Sequence, residues 1–407
     1  RGIRDVKALE CQESLFVSHE TEDHHKRTGN RLMSLHDIDK KVERLLTFSI
    51  YVSLEGDDHN VGTKSKPFRT IERARDEIRE LKELPAGGVN VILRGGTYPR
   101  RAGFKLTTED SGKPDSPITY LSAPGELATL FGGSVLDRKW FNPVTDPLVI
   151  KRIIDAKARG KILECNLKTH GLIDYGELRR RGFNLPRQQP PLQLFVNGQQ
   201  MTLARYPNDQ QMHIGRILNI GPLRNDDKFS KQGGTFTYTD DRISMWTAAN
   251  DAWINGVFGR DWSWSFNKIA SIEPKGKTIT LAFGEIYGLS SNDSFYAENL
   301  LEEIDLPGEY FIDRRKGMLY VLPTNDFDEA HITVSTLTDS MINAINVEHV
   351  TFRELVFDTS RASALHINGK AICIESCEIV RQGDRALWMI GTDHTIASCN
   401  IHHVGGT

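Results

Sequence analysis

The stretch Val350-Thr351-Phe352-Arg353-Glu354-Leu355-Val356-Phe357 returns 22 positions on as Ile372-Cys373-Ile374-Glu375-Ser376-Cys377-Glu378-Ile379. It returns again, 22 further, as His394-Thr395-Ile396-Ala397-Ser398-Cys399-Asn400-Ile401. Apolar residues fall on apolar residues: Phe352 on Ile374 and Ile396, Leu355 on Cys377 and Cys399, Phe357 on Ile379 and Ile401. Leu365 likewise matches Leu387, and Gly369 matches Gly391. A fixed period in the twenties marks a solenoid, in which each unit buries its inner face only by stacking on the next. Within each unit the inward positions alternate at the strand period of two, and no run keeps helical spacing. Short strands and tight turns at 22 residues per coil predict an all-β fold, a parallel β-helix. A leucine-rich repeat fits less well, because its Leu-rich consensus with an Asn ladder is missing.

Upstream of these coils the rhythm changes. Residues 1–47 are polar and charged, a solvated tail in which Ser34 caps a short amphipathic helix with Leu35, Ile38, Val42 and Leu45 inward. Residues 48–133 open with a strand at Ser49 to Ser53 and a helix that Thr70 caps, with Ile71, Ala74, Ile78 and Leu81 on one face. An open first coil exposes backbone groups, and this helix is placed to cover them. Gly95-Gly96 has no Lys-Ser or Lys-Thr after it and reads as a turn rather than a phosphate loop. Ile118 to Ser122 and Thr129 to Phe131 supply two more strands.

Residues 134–330 carry hairpin signals and read as a β-rich insertion subdomain. Leu192, Leu194 and Val196 alternate, Asn197-Gly198 makes a type I′ turn, and Met201 and Leu203 return. Pro274-Lys275-Gly276 turns between Ile272 and Ile279, and Tyr310 and Ile312 face Leu319 and Val321. Regular coils resume near Ile332, so 331–407 forms the last division, which stops mid-pattern at Thr407. With Arg1 at the start, both ends read as cut.

Bulk composition narrows the class. The chain has 407 residues, 39% hydrophobic and 26% charged, as in ordinary globular proteins. A net charge of −3 gives no long-range pull on nucleic acid, and no apolar run is long enough to span a bilayer. The cysteines Cys11, Cys165, Cys373, Cys377 and Cys399 are odd in number and lack metal-ligand spacing, so neither a disulfide scaffold nor a metal is expected. Cys377 and Cys399 share an inward column as small core residues, a bridge between them being the geometric alternative. No cofactor is expected. Asn292-Asp293-Ser294 is a glycosylation sequon that points to export.

Several phrases together carry a resemblance. Tyr51-Val52-Ser53, Gly56-Asp57-Asp58, Gly62-Thr63, Pro67-Phe68 and Gly95-Gly96-Thr97-Tyr98 resemble the N-terminal cap of right-handed β-helix proteins of the pectin-lyase-like class. Phe195-Val196-Asn197-Gly198, Ala204-Arg205-Tyr206-Pro207-Asn208 and Asp305-Leu306-Pro307-Gly308-Glu309-Tyr310 are similar to the glycoside hydrolase family 141-like subgroup of secreted β-helix proteins. The resemblance covers about residues 48–407. It implies a right-handed parallel β-helix acting on an extracellular polysaccharide, with a hydrolase favoured over a lyase and a non-catalytic binding module as the remaining alternative. The family pattern continues with further coils, so the resemblance implies that some or all of the catalytic carboxylates lie beyond Thr407, and it carries no catalytic pair onto this sequence.

A glycoside hydrolase needs two carboxyl groups flanking the scissile bond, and a lyase needs a base and a cation. Outward polar residues of the visible coils are Asp358, Arg361, His366, Asp384, Arg385, His402 and His403. Asp384, Arg385 and His402 are the catalytic candidates, against the plainer reading of Asp384 and Arg385 as a turn salt bridge. Arg361, His366 and Trp388 are candidates for substrate binding, His366 and Trp388 being 22 apart and so neighbours across coils. Trp262 and Trp264, at period two on one strand face, could stack on sugar rings. The alternative is that they, like Trp246, Trp253, Phe258 and Phe266, anchor the insertion in the core.

Overall fold

The computed structural model describes residues 48–405. The tail helix expected within 1–47 lies outside them. The secondary structure is mainly strand.

Three sheets are wholly parallel. The first is ordered Phe48–Val52, Val89–Leu93, Ile118–Ser122, Val350–Arg353, Cys373–Glu375, Thr395–Ala397. The second runs Gly96–Pro99, Ala128–Phe131, Leu355–Ser360, Glu378–Gln382, Asn400–Val404. The third stacks Phe104–Leu106, Ile342–Glu348, Leu365–Lys370 and Leu387–Thr392. From Val89 to Thr392 each pass of the chain gives one strand to each sheet in turn. The register keeps the 22-residue offset: Phe352 pairs with Ile374 and Ile374 with Ile396, Phe357 with Ile379, Leu365 with Leu387.

The inward residues of all three sheets form one core, with Val91, Tyr120, Phe352, Leu355, Phe357, Ile367, Ile374, Cys377 and Ile379 fully buried. Tyr120 stacks on Phe352 at 5.6 Å. Cys377 and Cys399 are free thiols that point at the carbonyls of Phe352 and Ile374. The helix Ile71–Arg79 starts at Thr70, whose hydroxyl accepts from the Arg73 amide, and buries Ile71, Ala74 and Ile78 in the same core.

An excursion interrupts one pass. Ile118–Ser122 and Ala128–Phe131 supply two strands, the chain then leaves from Gly133 to Ser335, and Ile342–Glu348 completes the third by pairing on Phe104–Leu106. The excursion is antiparallel, apart from one two-residue parallel pairing. Leu194–Val196 turns through Asn197 (φ 50°) and Gly198 (φ 77°) as the type I′ reading requires. The return strand is only Gln199–Gln200, after which Thr202–Leu203 pairs elsewhere, with Glu309–Asp313. Ile332–Ser335, where regular coils were expected to resume, is antiparallel to Gly133–Leu136 and Leu194–Val196. Alternation looks the same in either pairing, so only partner strands distinguish them; parallel stacking resumes at Ile342.

Candidate active site

The largest antiparallel sheet supplies the site. Its strands Ser294–Glu298, Trp253–Val257 and Trp264–Glu273 lie side by side, with Glu298 opposite Trp253, and Asn255 opposite both Tyr296 and Phe266. Successive side chains point to opposite faces. Ile254, Phe295 and Ala297 therefore enter a core of their own, while Tyr296, Glu298 and Trp264 line a cavity of about 960 Å³. Arg205–Tyr206 pairs on Glu298, and Arg181–Gly182 on Phe266, which brings Arg205 and Arg181 to the same wall. The parallel stack contributes Gly383, Asp384 and Gly405 to the lining of the same cavity.

Glu298 is 8% exposed. Burial pushes its carboxyl up, against the pull of the Arg181 guanidinium, an Asn255 hydrogen bond and Arg205. Burial also raises the Tyr296 phenol, with Glu298 adding to it. Asn255 in turn accepts from the Trp264 indole N–H at 2.5 Å. Asp384 is held differently. It pairs with Arg187 at 2.5 Å and accepts from the Ser363 hydroxyl at 3.0 Å. Two carboxyl groups in unlike environments thus face one cavity.

A second cavity of about 470 Å³ shares Arg187, Gln188, Gln189 and Asp384 with the first and continues along the parallel stack past His366 and Asn343. Asn343 Oδ1 is buried there without a hydrogen-bond partner.

The sequence candidates separate in space. Asp384 lines both cavities, His366 the second and Trp264 the first. Trp388 sits beside His366 across the sheet, and the Arg385 guanidinium lies 4.0 Å over its ring, but neither Trp388 nor Arg385 lines these cavities. His402 is on another sheet, bonded to Glu378 at 3.0 Å and to His403. Arg361, read as outward, is 4% exposed. It donates to the Pro190 carbonyl and lies 2.9 Å from Asp174, so it anchors the loop before the cavity wall rather than facing solvent.

Trp262 and Trp264 do not share a strand face, because the strand begins at Trp264. Trp262 is 54% exposed and packs on Phe183 at 4.8 Å and Tyr287 at 5.3 Å. Trp246, Trp253, Phe258 and Phe266 are buried, as the core-anchor alternative requires. Glu298 and Arg181 escaped sequence reading. The alternation Ser294, Tyr296, Glu298 was the available signal, and it is indistinguishable from an ordinary solvent-facing strand.

Among the described residues no three His, Cys, Asp or Glu side chains are grouped to hold a metal, and no helix is long and apolar enough to cross a membrane.

No family model matches the chain. A Bacillus subtilis (strain 168) protein named Uncharacterized protein YwoF is 36% identical over 95 residues, 23% of this chain; the match spans under a fifth of that relative, 18% of its length. A solved structure of a glycoside hydrolase superposes with a TM-score of 0.64 over 88% of this chain and 74% of its own, at 17% identity. That likeness establishes a shared fold. A solved complex of XylC with xylose overlaps at a TM-score of 0.42 and 12% identity, over 88% of this chain and 54% of its own.

Proposed function

We propose that this chain is a glycoside hydrolase acting on an extracellular polysaccharide, that its three parallel sheets form a right-handed β-helix of the family 141-like subgroup, and that Glu298 and Asp384 are its two carboxyl groups. The observation that carries this is the shared cavity. Glu298, whose burial raises its hold on the proton, is suited to protonate the leaving glycosidic oxygen. Asp384, ion-paired with Arg187, is suited to activate water or attack the sugar from the other side. Trp264 lines the same cavity and offers an aromatic ring to a sugar. The fold shared with a glycoside hydrolase supports the same reading, and the second cavity, with His366, gives a polymer room to continue.

The test is incubation with a polysaccharide panel, reading new reducing ends and ultraviolet-absorbing unsaturated products in parallel. Hydrolysis is expected, with Glu298→Gln and Asp384→Asn each lowering kcat by about 10²–10⁴-fold while binding persists. Unsaturated products would move the reaction to a lyase. Binding without cleavage by the wild type would leave a carbohydrate-binding module.

A further inference from the structure

In the run Arg179-Arg180-Arg181-Gly182, Arg179 and Arg181 line the large cavity and Arg180 does not. Arg179 is exposed and pairs with Glu177 at 3.3 Å. Arg180 turns to the other side, over the Phe229 ring at 4.3 Å, and donates to the Gly284 carbonyl. Arg181 lines the large cavity. Its guanidinium carbon lies 3.8 Å from the Phe266 ring centroid and 5.9 Å from that of Trp264. Gly182 lets this short strand press so close: a Cβ there would stand 2.4 Å from the Trp264 carbonyl oxygen, at φ +140°.

Arg181 differs from the other arginines that line the cavity, of which Arg179 is exposed and paired with Glu177. Arg187 is committed to Asp384, and Arg205 to the carbonyls of Pro207 and Asn208 and the Tyr296 ring. Arg181 makes no hydrogen bond or close ion pair with any described residue; besides its two ring contacts it feels only the charge of the nearby Glu298 and Tyr296 groups. A guanidinium carries five N–H donors, and no protein oxygen accepts from those of Arg181. Stacking on Phe266 fixes its plane and leaves its edge, with parallel N–H groups, free to face the cavity. Such a fork matches the two oxygens of a carboxylate or the oxygens of a sulfate ester.

Resting on the hydrolase reading for the nature of the ligand, we infer that the cavity takes an anionic sugar, a glycan unit bearing a carboxylate or sulfate ester, with that anion clamped by Arg181. The bound anion also lies on the wall that carries Glu298. Added negative charge there favours the protonated form of that carboxyl, so the same contact that selects the substrate supports the acid.

The experiment is calorimetric titration of the intact chain. The ligands are oligosaccharides of galacturonate, glucuronate and mannuronate, each beside its carboxyl-reduced neutral counterpart, and a sulfated galactan oligosaccharide beside its desulfated form. At least one anionic member should bind about tenfold or more tighter than its neutral partner. Arg181→Gln should erase that gap while leaving the circular dichroism spectrum unchanged, and Arg181→Lys should restore only part of it, having charge without the fork. A gap for uronates assigns the carboxylate, and one for the galactan alone the sulfate. Equal affinities across every pair, or a gap that survives Arg181→Gln, overturns the inference. Failure of the hydrolase reading is seen separately: an Arg181-dependent preference with no cleavage sinks that reading and leaves this one standing.

Discussion

Glu285 is a carboxylic acid with almost no water around it. It accepts from Ser265 at 3.1 Å and Asn267 at 2.7 Å, yet burial pushes it up to about 7 from its ordinary 4.5. Glu309 is likewise raised to about 7 by burial, although the amides of Asp305, Leu306 and Arg205 all donate to it. In each case the folded state holds the proton more tightly than the unfolded chain. The resulting stabilisation is whole below pH 4.5 and is lost as pH rises through about 7. Thermal melts should therefore show Tm falling across this window, with Glu285→Gln flattening part of the slope, since an amide keeps the acceptor without the charge. Identical slopes for the two proteins would mean that Glu285 titrates as in water. At this scale Asp384 was legible in the sequence, because it follows an outward turn of a visible coil. Glu298 was not: a Glu ending an alternating strand is ordinary, and nothing in the local pattern marks it as buried.

Strand and turn elements repeat as faithfully as the side chains do. The left-handed residues Glu354, Ser376 and Ser398 recur at 22, as do His349, Ala371 and Asp393, and Thr359, Arg381 and His403. The first two sets mark corners between sheets and the third a kink inside the strands of the second sheet; none is Gly, so stacking sustains a conformation that costs roughly 1–2 kcal/mol per residue. The Gly369–Gly391 column has a different cause. A Cβ on Gly369 would stand 1.9 Å from the Val347 carbonyl oxygen, and one on Gly391 1.8 Å from that of Gly369. Gly369→Ala should destabilise by about 2 kcal/mol or more in urea titration, whereas Gly160→Ala, with no neighbouring atom within 4 Å, should change stability by less than about 0.5 kcal/mol. Equal effects would show that the column gives way easily. The hairpin at Asn197-Gly198 was legible because two adjacent positive φ angles demand those residues. The direction of Ile332–Ser335 was not, because period two carries no information about a strand's partner.

The whole molecule makes the site by folding its excursion back against the stack from which it departed. Arg361 is a tie between them. It holds Pro190 by a hydrogen bond of 3.1 Å and Asp174 by an ion pair whose N–H is not aimed at the carboxylate, and its Nη2 fills the space that a side chain at Gly176 would need. Arg361→Ala should leave the parallel sheets folded but loosen residues 174–191. Hydrogen exchange there should speed up by on the order of tenfold, with weaker saccharide binding. Unchanged exchange in that segment would assign the anchoring elsewhere. By itself the sequence determined the stacked coils, their inward columns, the capping helix and the hairpin turns, because each follows from periodicity or from a local backbone demand. Tertiary structure alone decided which strands the excursion pairs, that Trp262 and Trp264 part company, and that Glu298, Arg181 and Asp384 look into one space. Those relations join residues far apart in the chain, and no local pattern records the distance between them.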